Sequence, residues 1–598
     1  MGYSEVHCTI CGVSFNIGRV RRADEGQDAA WRAECGPGFA TFVPHNKWQG
    51  GRCGSHGTCM LAKRKNLDSF QVLEPDDQPG DADSDDPFLD PDYIPVTYDG
   101  PVVSEDREPY EMTTPRESES DDSDTPQSES SQDSDREREL ESEILYRDFA
   151  NATLRKPALA PQPEEMLASL PLPEEWREAM DNGLVEHIAG SECEHIGGYS
   201  GHHISLSEMR GCVTVQCLVP KPIGWQGEDD DQDFEASYNF FLSGLSDHMP
   251  SRDYDRPKAF PVRHGCSSPI ADTCFWSEET ANQTAMPFHP TCLEVFKRAS
   301  LQELGLIDIP ALTDWYRLEG TYDQFYSFPR STAVKAGRSQ MWEHHKGDQF
   351  LAANPCFVPG LAPMLNSAAE RGADQSDYHR GAFRISAEYP VPNDRFAGLP
   401  APVRLGILSY LPPASIANLR LASRSFRQIP QSFFHSLLRR KMPWLWETWS
   451  SLPYSFWATT TAAELKEKDR QWQEEKELID RAMRIVTEEY GELEDNHAAA
   501  ALSALTVQRE TESVEARAQH AATLLPAAQT DWFGLYRDIT RNWKRLQGLR
   551  NRERIWTDCK EILSRIATHR AAGRMGPGIV VDARETLRAS FLAAAVRK

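Results

Sequence analysis

Apolar residues recur at helical spacing from Pro402 onward and far less regularly before it. In the stretch Leu399-Pro-Ala-Pro-Val-Arg-Leu-Gly-Ile-Leu-Ser-Tyr-Leu411, Pro402 suits a first helical turn, where its missing N–H leaves nothing unpaired. Val403, Leu405, Ile407, Leu408 and Leu411 are more apolar positions than one narrow stripe uses, so some must face a partner helix or another chain. Pro412-Pro413 ends this helix, Ser415 is placed to cap a second one carrying Ile416, Leu419 and Leu421, and Arg424 to Leu438 supplies a third. Helices this short bury too little alone, so the three must pack together or against a neighbour. Between Ala462 and Asn496, Leu465, Trp472, Ile479, Val486 and Leu493 stand seven apart with charges between them, which predicts one long helix. The second apolar position of a full heptad is missing, and a helix lying on its own domain fits better than a dimerising coiled coil. Upstream, short strand-like runs such as Val213 to Val219 stand among loops rich in Gly, Pro and His.

At 598 residues the chain is long for one core, and roughly 100 to 200 residues per domain suggests about three or four units. The formal charge of −27 is concentrated: residues 74–143 hold 26 acidic residues and four arginines, a net of −22 that leaves only −5 elsewhere. Without a broad basic domain, nucleic acid is not expected as a partner. The acidic stretch has too little apolar surface to offset the entropy of ordering and is expected to be a disordered linker. The fold class expected is therefore α+β multidomain. It comprises a Cys-rich segment (1–73), the acidic linker (74–143), an irregular mixed α/β region that would bind a target (171–396), a three-helix unit (397–446) and a helical C-terminal region (447–598).

The spacing from Leu399-Pro400 through Val403, Leu405, Ile407, Leu408, Leu411, Ile416, Leu419 and Leu421 to Phe426 resembles the F-box family without a gap. Pro402 stands where that family usually has an acidic residue, and Phe426 where it commonly has Trp. The wider architecture looks like fungal F-box proteins. The shared features are a Cys-rich N-terminal segment, the motif His-Pro-x-Cys-x-Glu-x-Phe at His289 to Phe296, Trp532-Phe-Gly-Leu-Tyr-Arg, Asn551-Arg552 and Ile555-Trp556. In this family the segment binds a Skp-type linker protein, which in turn binds a cullin. The resemblance implies a non-catalytic adaptor of a ubiquitin ligase, with the eleven residues from Leu399 to Phe426 named above as its partner contacts and an unidentified protein as its target. A scaffold that binds the linker outside a ligase is the alternative, with a cryptic enzyme behind it.

The thirteen cysteines are too sparse for a disulfide framework and fit a reducing compartment, cytoplasmic or nuclear. No apolar run is long enough to span a bilayer, so no membrane is expected as a partner. Cys8-Thr-Ile-Cys11-Gly has the spacing of a metal knuckle, and two more ligands are needed. Cys53 and Cys59 would complete a structural zinc site, with Cys35, His45 and His56 as substitutes; reduced thiols are the competing reading. Farther along, Cys193, His195, His202, His203, Cys212, Cys217, Cys266, Cys274, His289 and Cys292 read as buried thiols and hydrogen-bonded imidazoles, with His289 and Cys292 the one tight pair. Gly198-Tyr-Ser-Gly201 is one residue short of a nucleophile elbow, and no phosphate loop, metalloprotease pair or dinucleotide fingerprint occurs. Deletion of Asp76 to Asp135 should leave the calorimetric unfolding of the remaining chain unchanged; a large fall in Tm would show that the acidic stretch packs into a core.

Overall fold

A computed structural model describes residues 5–31, 59–63, 185–193, 195, 197–221, 224–227, 231–247, 285–319, 327–338, 342–374, 383, 394–490 and 523–576. Two units divide the chain: Met1–Arg64 together with Leu172–Lys598, which contains every described residue, and Lys65–Pro171, which lies wholly outside them. The expected acidic linker therefore falls outside the described residues.

Strands β1 (Arg19–Val20), β2 (Met60–Lys63), β3 (Val185–Ile188) and β4 (Tyr199–Ser200) form two pairs. β1 runs parallel to β4 with Arg19 opposite Tyr199, and β2 runs antiparallel to β3 with Met60 opposite Ile188. β5 (Gln216–Pro220) is the centre of a three-stranded antiparallel sheet between β6 (Phe240–Leu242) and β7 (Met286–Phe288), and the short helix α1 (Asp233–Ser237) precedes β6. Directly after β7, His289 keeps an extended backbone and Pro290 opens helix α2 (Pro290–Leu304), which Gly305 ends at φ 76°. Every residue of α2 from Pro290 to Ser300 is buried, so this helix runs through the core rather than over it.

Helices α3 (Ile309–Glu319), α4 (Thr332–Gly337) and α5 (Leu361–Asp374) follow. The three-helix unit consists of α6 (Ala401–Ser409), α7 (Pro413–Ala422) and, after the 3-10 turn Arg424–Phe426, α8 (Gln431–Lys441). α7 begins with Pro413 at its first position rather than at Ser415, because proline fills a position whose N–H would have no helical acceptor. Beyond α9 (Phe456–Thr459) lie α10 (Ala462–Tyr490), α11 (Trp532–Arg541) and α12 (Gln547–Ala571).

α12 packs along α2 and α3, α11 packs on α8 and α5, and one apolar core runs from Val6 through Phe296 and Phe426 to Ile566. Segments that read as separate units in the sequence thus share a single core, because none buries its apolar face by itself. Gly548, near the start of α12, is required by the approach of Asn354, whose carbonyl oxygen would lie 2.5 Å from an added Cβ. The long helix α10 does form, but only its first turn is anchored. Ala462 and Leu465 are buried, and Glu464 and Lys466 pair with Arg210 and Asp247. From Lys466 to Ile485 no side chain is buried, which differs from a helix lying along its own domain.

The joint between α2 and α12 contains charge. Arg298 and Arg552 are fully buried, and their guanidinium groups lie over the Trp446 ring at 4.7 and 3.7 Å. Arg298 donates to Glu294 at 2.6 Å and to the Leu452 carbonyl at 2.7 Å. Arg552 donates to both oxygens of Glu447, at 3.0 and 2.9 Å, and to the Pro355 carbonyl at 2.6 Å. Burial alone would raise the Glu294 carboxyl, but Lys297 and Arg298 outweigh it and hold the group down at about 2. A depressed carboxylate stabilises the fold above its unfolded value, near 4.3, and that stabilisation is lost as pH falls through about 2. Glu294→Gln should therefore cost about 3 kcal/mol in denaturant unfolding at neutral pH, and should flatten the acid side of the stability curve relative to the parent chain. Parallel acid limbs for the two proteins would contradict this account of the joint.

Candidate docking surface and metal-ligand clusters

The F-box-like segment is held in shape by its own few buried residues. Leu408, Ile416 and Phe426 are buried at 0, 3 and 0 % exposure, and Phe426 meets the edges or faces of Phe396 and Phe383 at 5.3 and 5.9 Å. Asp394 joins the start of the segment to its end, accepting from the hydroxyls of Ser423 and Ser425 and from the Ser425 N–H at 2.7, 2.7 and 3.0 Å. Desolvation, which would raise this carboxyl, is overcome by those donors, and it is held down at about 2. Arg404 donates to the carbonyls of Leu399 and Ser425 at 3.0 and 3.2 Å, which fixes the Leu399-Pro400 lead-in against the 3-10 turn.

α8 secures this unit to the rest. Gln431 donates to Asp531 at 3.1 Å and accepts from the Phe533 N–H at 3.0 Å, while His435 stacks on Trp532 at 4.3 Å. Among the polar residues on the outside, several apolar side chains remain. Leu421 and Tyr410 are 89 and 91 % exposed, Val403 and Pro400 are exposed, and Leu399, Leu405, Ile407, Leu411 and Leu419 are half-buried. Of the eleven residues expected to touch a partner, Leu408, Ile416 and Phe426 instead fill the interior, since three short helices need those side chains to cohere.

Four metal-ligating side chains converge elsewhere. The Sγ atoms of Cys8, Cys11 and Cys292 and a ring nitrogen of His289 all lie within 4.8 Å of one another, and all four residues are buried. The Cys8 to Cys11 turn is closed by the Gly12 N–H on the Cys8 carbonyl at 2.7 Å and by the Cys8 N–H on the Val13 carbonyl at 2.9 Å. Gly12 has φ 72°, a left-handed conformation that glycine adopts without a Cβ penalty. The backbone N–H groups of Cys11 and His289 both donate to the Cys8 sulfur at 3.5 Å. Nε2 of His289 lies 3.0 Å from the Cys212 carbonyl, and Nδ1 lies 3.6 Å from Cys11 Sγ and 3.8 Å from Cys292 Sγ.

Without a cation, burial would raise the Cys11 thiol, but hydrogen bonds from Cys292 and Cys8 and the His289 charge bring it well below its ordinary value. The opposite balance acts on His289. Burial would lower the imidazole, and the neighbouring Cys8 and Cys11 sulfurs lift it to about 10. Burial and the adjacent sulfurs push Cys292 well above the ordinary thiol range. Without a metal the cluster thus pairs a lowered Cys11 thiol with a raised His289 imidazole inside the core.

A second group joins Cys59, His187 and Cys193, placed just before β2, on β3 and just after it. Cys193 Sγ lies 3.8 Å from His187 Nε2, and the Gly190 N–H donates to Cys59 Sγ at 3.5 Å. Cys59 therefore stands with His187 and Cys193 rather than with Cys8 and Cys11, and Cys53 lies outside the described residues, as do Cys35, His45 and His56. The expected zinc ligands divide because a nearby sequence position is not a nearby position in space. The signal that joins Cys8 and Cys11 to His289 and Cys292 was present in the sequence as two pairs of equal spacing, each short of two ligands. Nothing in the sequence singles out His187.

The F-box domain model matches residues 396–434. A mitochondrial ATP-dependent RNA helicase, mss116 of Aspergillus oryzae, is 45 % identical over 56 residues, which is 9 % of this chain and 9 % of that protein. This chain thus spans under a tenth of that relative's length, and no solved structure matches it. With the Leu399-Pro400 lead-in, α6, α7 and the start of α8 all inside the matched residues, the chain carries an F-box domain.

Proposed function

We propose that this chain is a substrate adaptor of a Skp-cullin-F-box ubiquitin ligase, which docks a Skp-type linker protein through α6 and α7 and recruits a protein target through the region before the F-box. The F-box domain itself supports a role in Skp binding or in such a ligase. The observation that carries the reading is the exposure of Tyr410 and Leu421, two large side chains left in water at the ends of helices whose interior is already filled by Leu408, Ile416 and Phe426. Leaving such groups exposed is unfavourable in isolation and is relieved when another protein covers them. The adaptor needs no catalytic group of its own, since the ligase supplies the chemistry, and the one cofactor that suits it is a structural zinc ion.

Because Tyr410 and Leu421 make so little contact within the chain, Tyr410→Ser with Leu421→Ser should leave Tm unchanged. Capture of a purified Skp-type linker protein should fall more than tenfold, as expected when interface anchors are removed. Unchanged affinity in the folded double variant would refute docking by this face. Cullin should co-purify with the parent chain and the linker; linker without cullin would favour a scaffold outside any ligase.

A further inference from the structure

We propose that Cys8, Cys11, His289 and Cys292 hold one tetrahedral zinc ion, a structural metal that fastens the N-terminal knuckle to the start of α2. This stands apart from the docking proposal and shares no residue with it.

Geometry is the first support. Zinc bonds of about 2.3 Å to sulfur and about 2.05 Å to nitrogen make the edges of a regular tetrahedron about 3.6 Å for S···N and about 3.8 Å for S···S. The observed Nδ1 to sulfur separations are 3.6 and 3.8 Å, and all four ligand atoms fall within 4.8 Å of one another. A disulfide would bring two sulfurs to about 2.05 Å, whereas all three cysteines are free.

The orientation of His289 is the second support. Nε2 faces the Cys212 carbonyl at 3.0 Å, so a proton on Nε2 leaves the Nδ1 lone pair directed at the sulfurs. A metal-binding imidazole is set in this way, with its distant nitrogen donating to a carbonyl that fixes the tautomer. The Cys11 and His289 N–H groups also point the positive ends of their dipoles at the Cys8 sulfur, as donors to a metal-bound sulfur do.

Charge balance is the third support. Three thiolates around a divalent ion leave one net negative charge. Arg330 donates to the Thr9 carbonyl at 2.7 Å and to the Ile10 carbonyl, and Arg554 donates to the Cys11 carbonyl at 2.8 Å. Both arginines pair with Asp558, at 3.0 and 3.2 Å, so this trio supplies one net positive charge against the knuckle. The guanidinium group of Arg338 also approaches the knuckle at Gly12, so positive charge around the loop offsets the negative charge of the loaded site.

Three thiolates and an imidazole form a soft donor set, which in tetrahedral geometry selects zinc over magnesium or calcium. Four protein ligands at no more than 6 % exposure leave no open position for water or substrate, so the ion is structural.

The test is metal analysis of the full-length chain, purified without chelator and without a metal-binding tag, followed by replacement with cobalt(II). The proposal predicts at least one zinc per chain. It also predicts a cobalt spectrum with thiolate charge-transfer bands and tetrahedral d–d bands from a site of three sulfurs and one nitrogen. His289→Cys should keep the metal and move the d–d bands to lower energy. Cys292→Ser should lose one equivalent of zinc, and Cys356→Ser none. Should Cys292→Ser fail to fold, the parent cobalt spectrum and His289→Cys decide. Folded parent chain without zinc that takes up no cobalt would overturn the site. Zinc lost in Cys59→Ser but retained in folded Cys292→Ser would overturn it too, assigning the ion to the second cluster.

Discussion

The buried pairing of α2 with α12 sets where every other part of the structure can stand. Two arginines inside a core would be prohibitive without partners, and Glu294 and Glu447 provide them on either side of Trp446. Each carboxylate comes from a different part of the chain. Glu294 lies one turn before Arg298 on α2, whereas Glu447 lies in the segment after the F-box, so the Arg552–Glu447 pair draws that segment onto α12, and Arg298 meets it there over Trp446. The hydrogen bonds from Arg298 to Leu452 and from Arg552 to Pro355 tighten the same joint. Buried charge of this kind adds less net stability than an apolar core of equal volume, but it penalises any other arrangement heavily.

Two features of separate function lean on this joint. The N-terminal knuckle rests on α12 through Arg554 and meets the start of α2 through His289 and Cys292, so a metal there would tie residues 8–11 to residues 289–292 in the same core. The F-box is held from the other side, through Gln431 and His435 on α8 against α11. Because α8 is committed inward, α6 and α7 keep their apolar excess outward. α6 and α7 thus stand on a body to which α8 is packed and hydrogen-bonded.

The helical half was legible in the sequence because prolines and a 3.6-residue apolar period are local signals. Leu399-Pro400, Pro402 and Pro412-Pro413 mark the boundaries of α6 and α7 by backbone chemistry alone. The roles of the apolar residues between them were less legible. Leu408, Ile416 and Leu421 read alike in sequence as partner contacts, and only packing separates the exposed Leu421 from the buried Leu408 and Ile416; Tyr410 carries no signal of its own in the pattern. The motif at His289 to Phe296 was visible as a pattern, but its division of labour was not. His289 and Cys292 turn to the knuckle, Glu294 to the arginine joint and Phe296 to the core. Asn551-Arg552 and Ile555-Trp556 likewise prove to be buried residues of α12, whose partners lie hundreds of positions away and leave no trace in local spacing.

The central claim is that a filled F-box interior leaves an apolar exterior for another protein while the body stays fixed. Amide hydrogen exchange of the full-length chain, alone and with a purified Skp-type linker protein, tests it most directly. The account predicts new protection in α6 and α7, residues 401–422, with exchange in α2 and α12 unchanged. Protection that appears in α2 or α12 instead, or no protection in α6 and α7 at saturating linker, would contradict it.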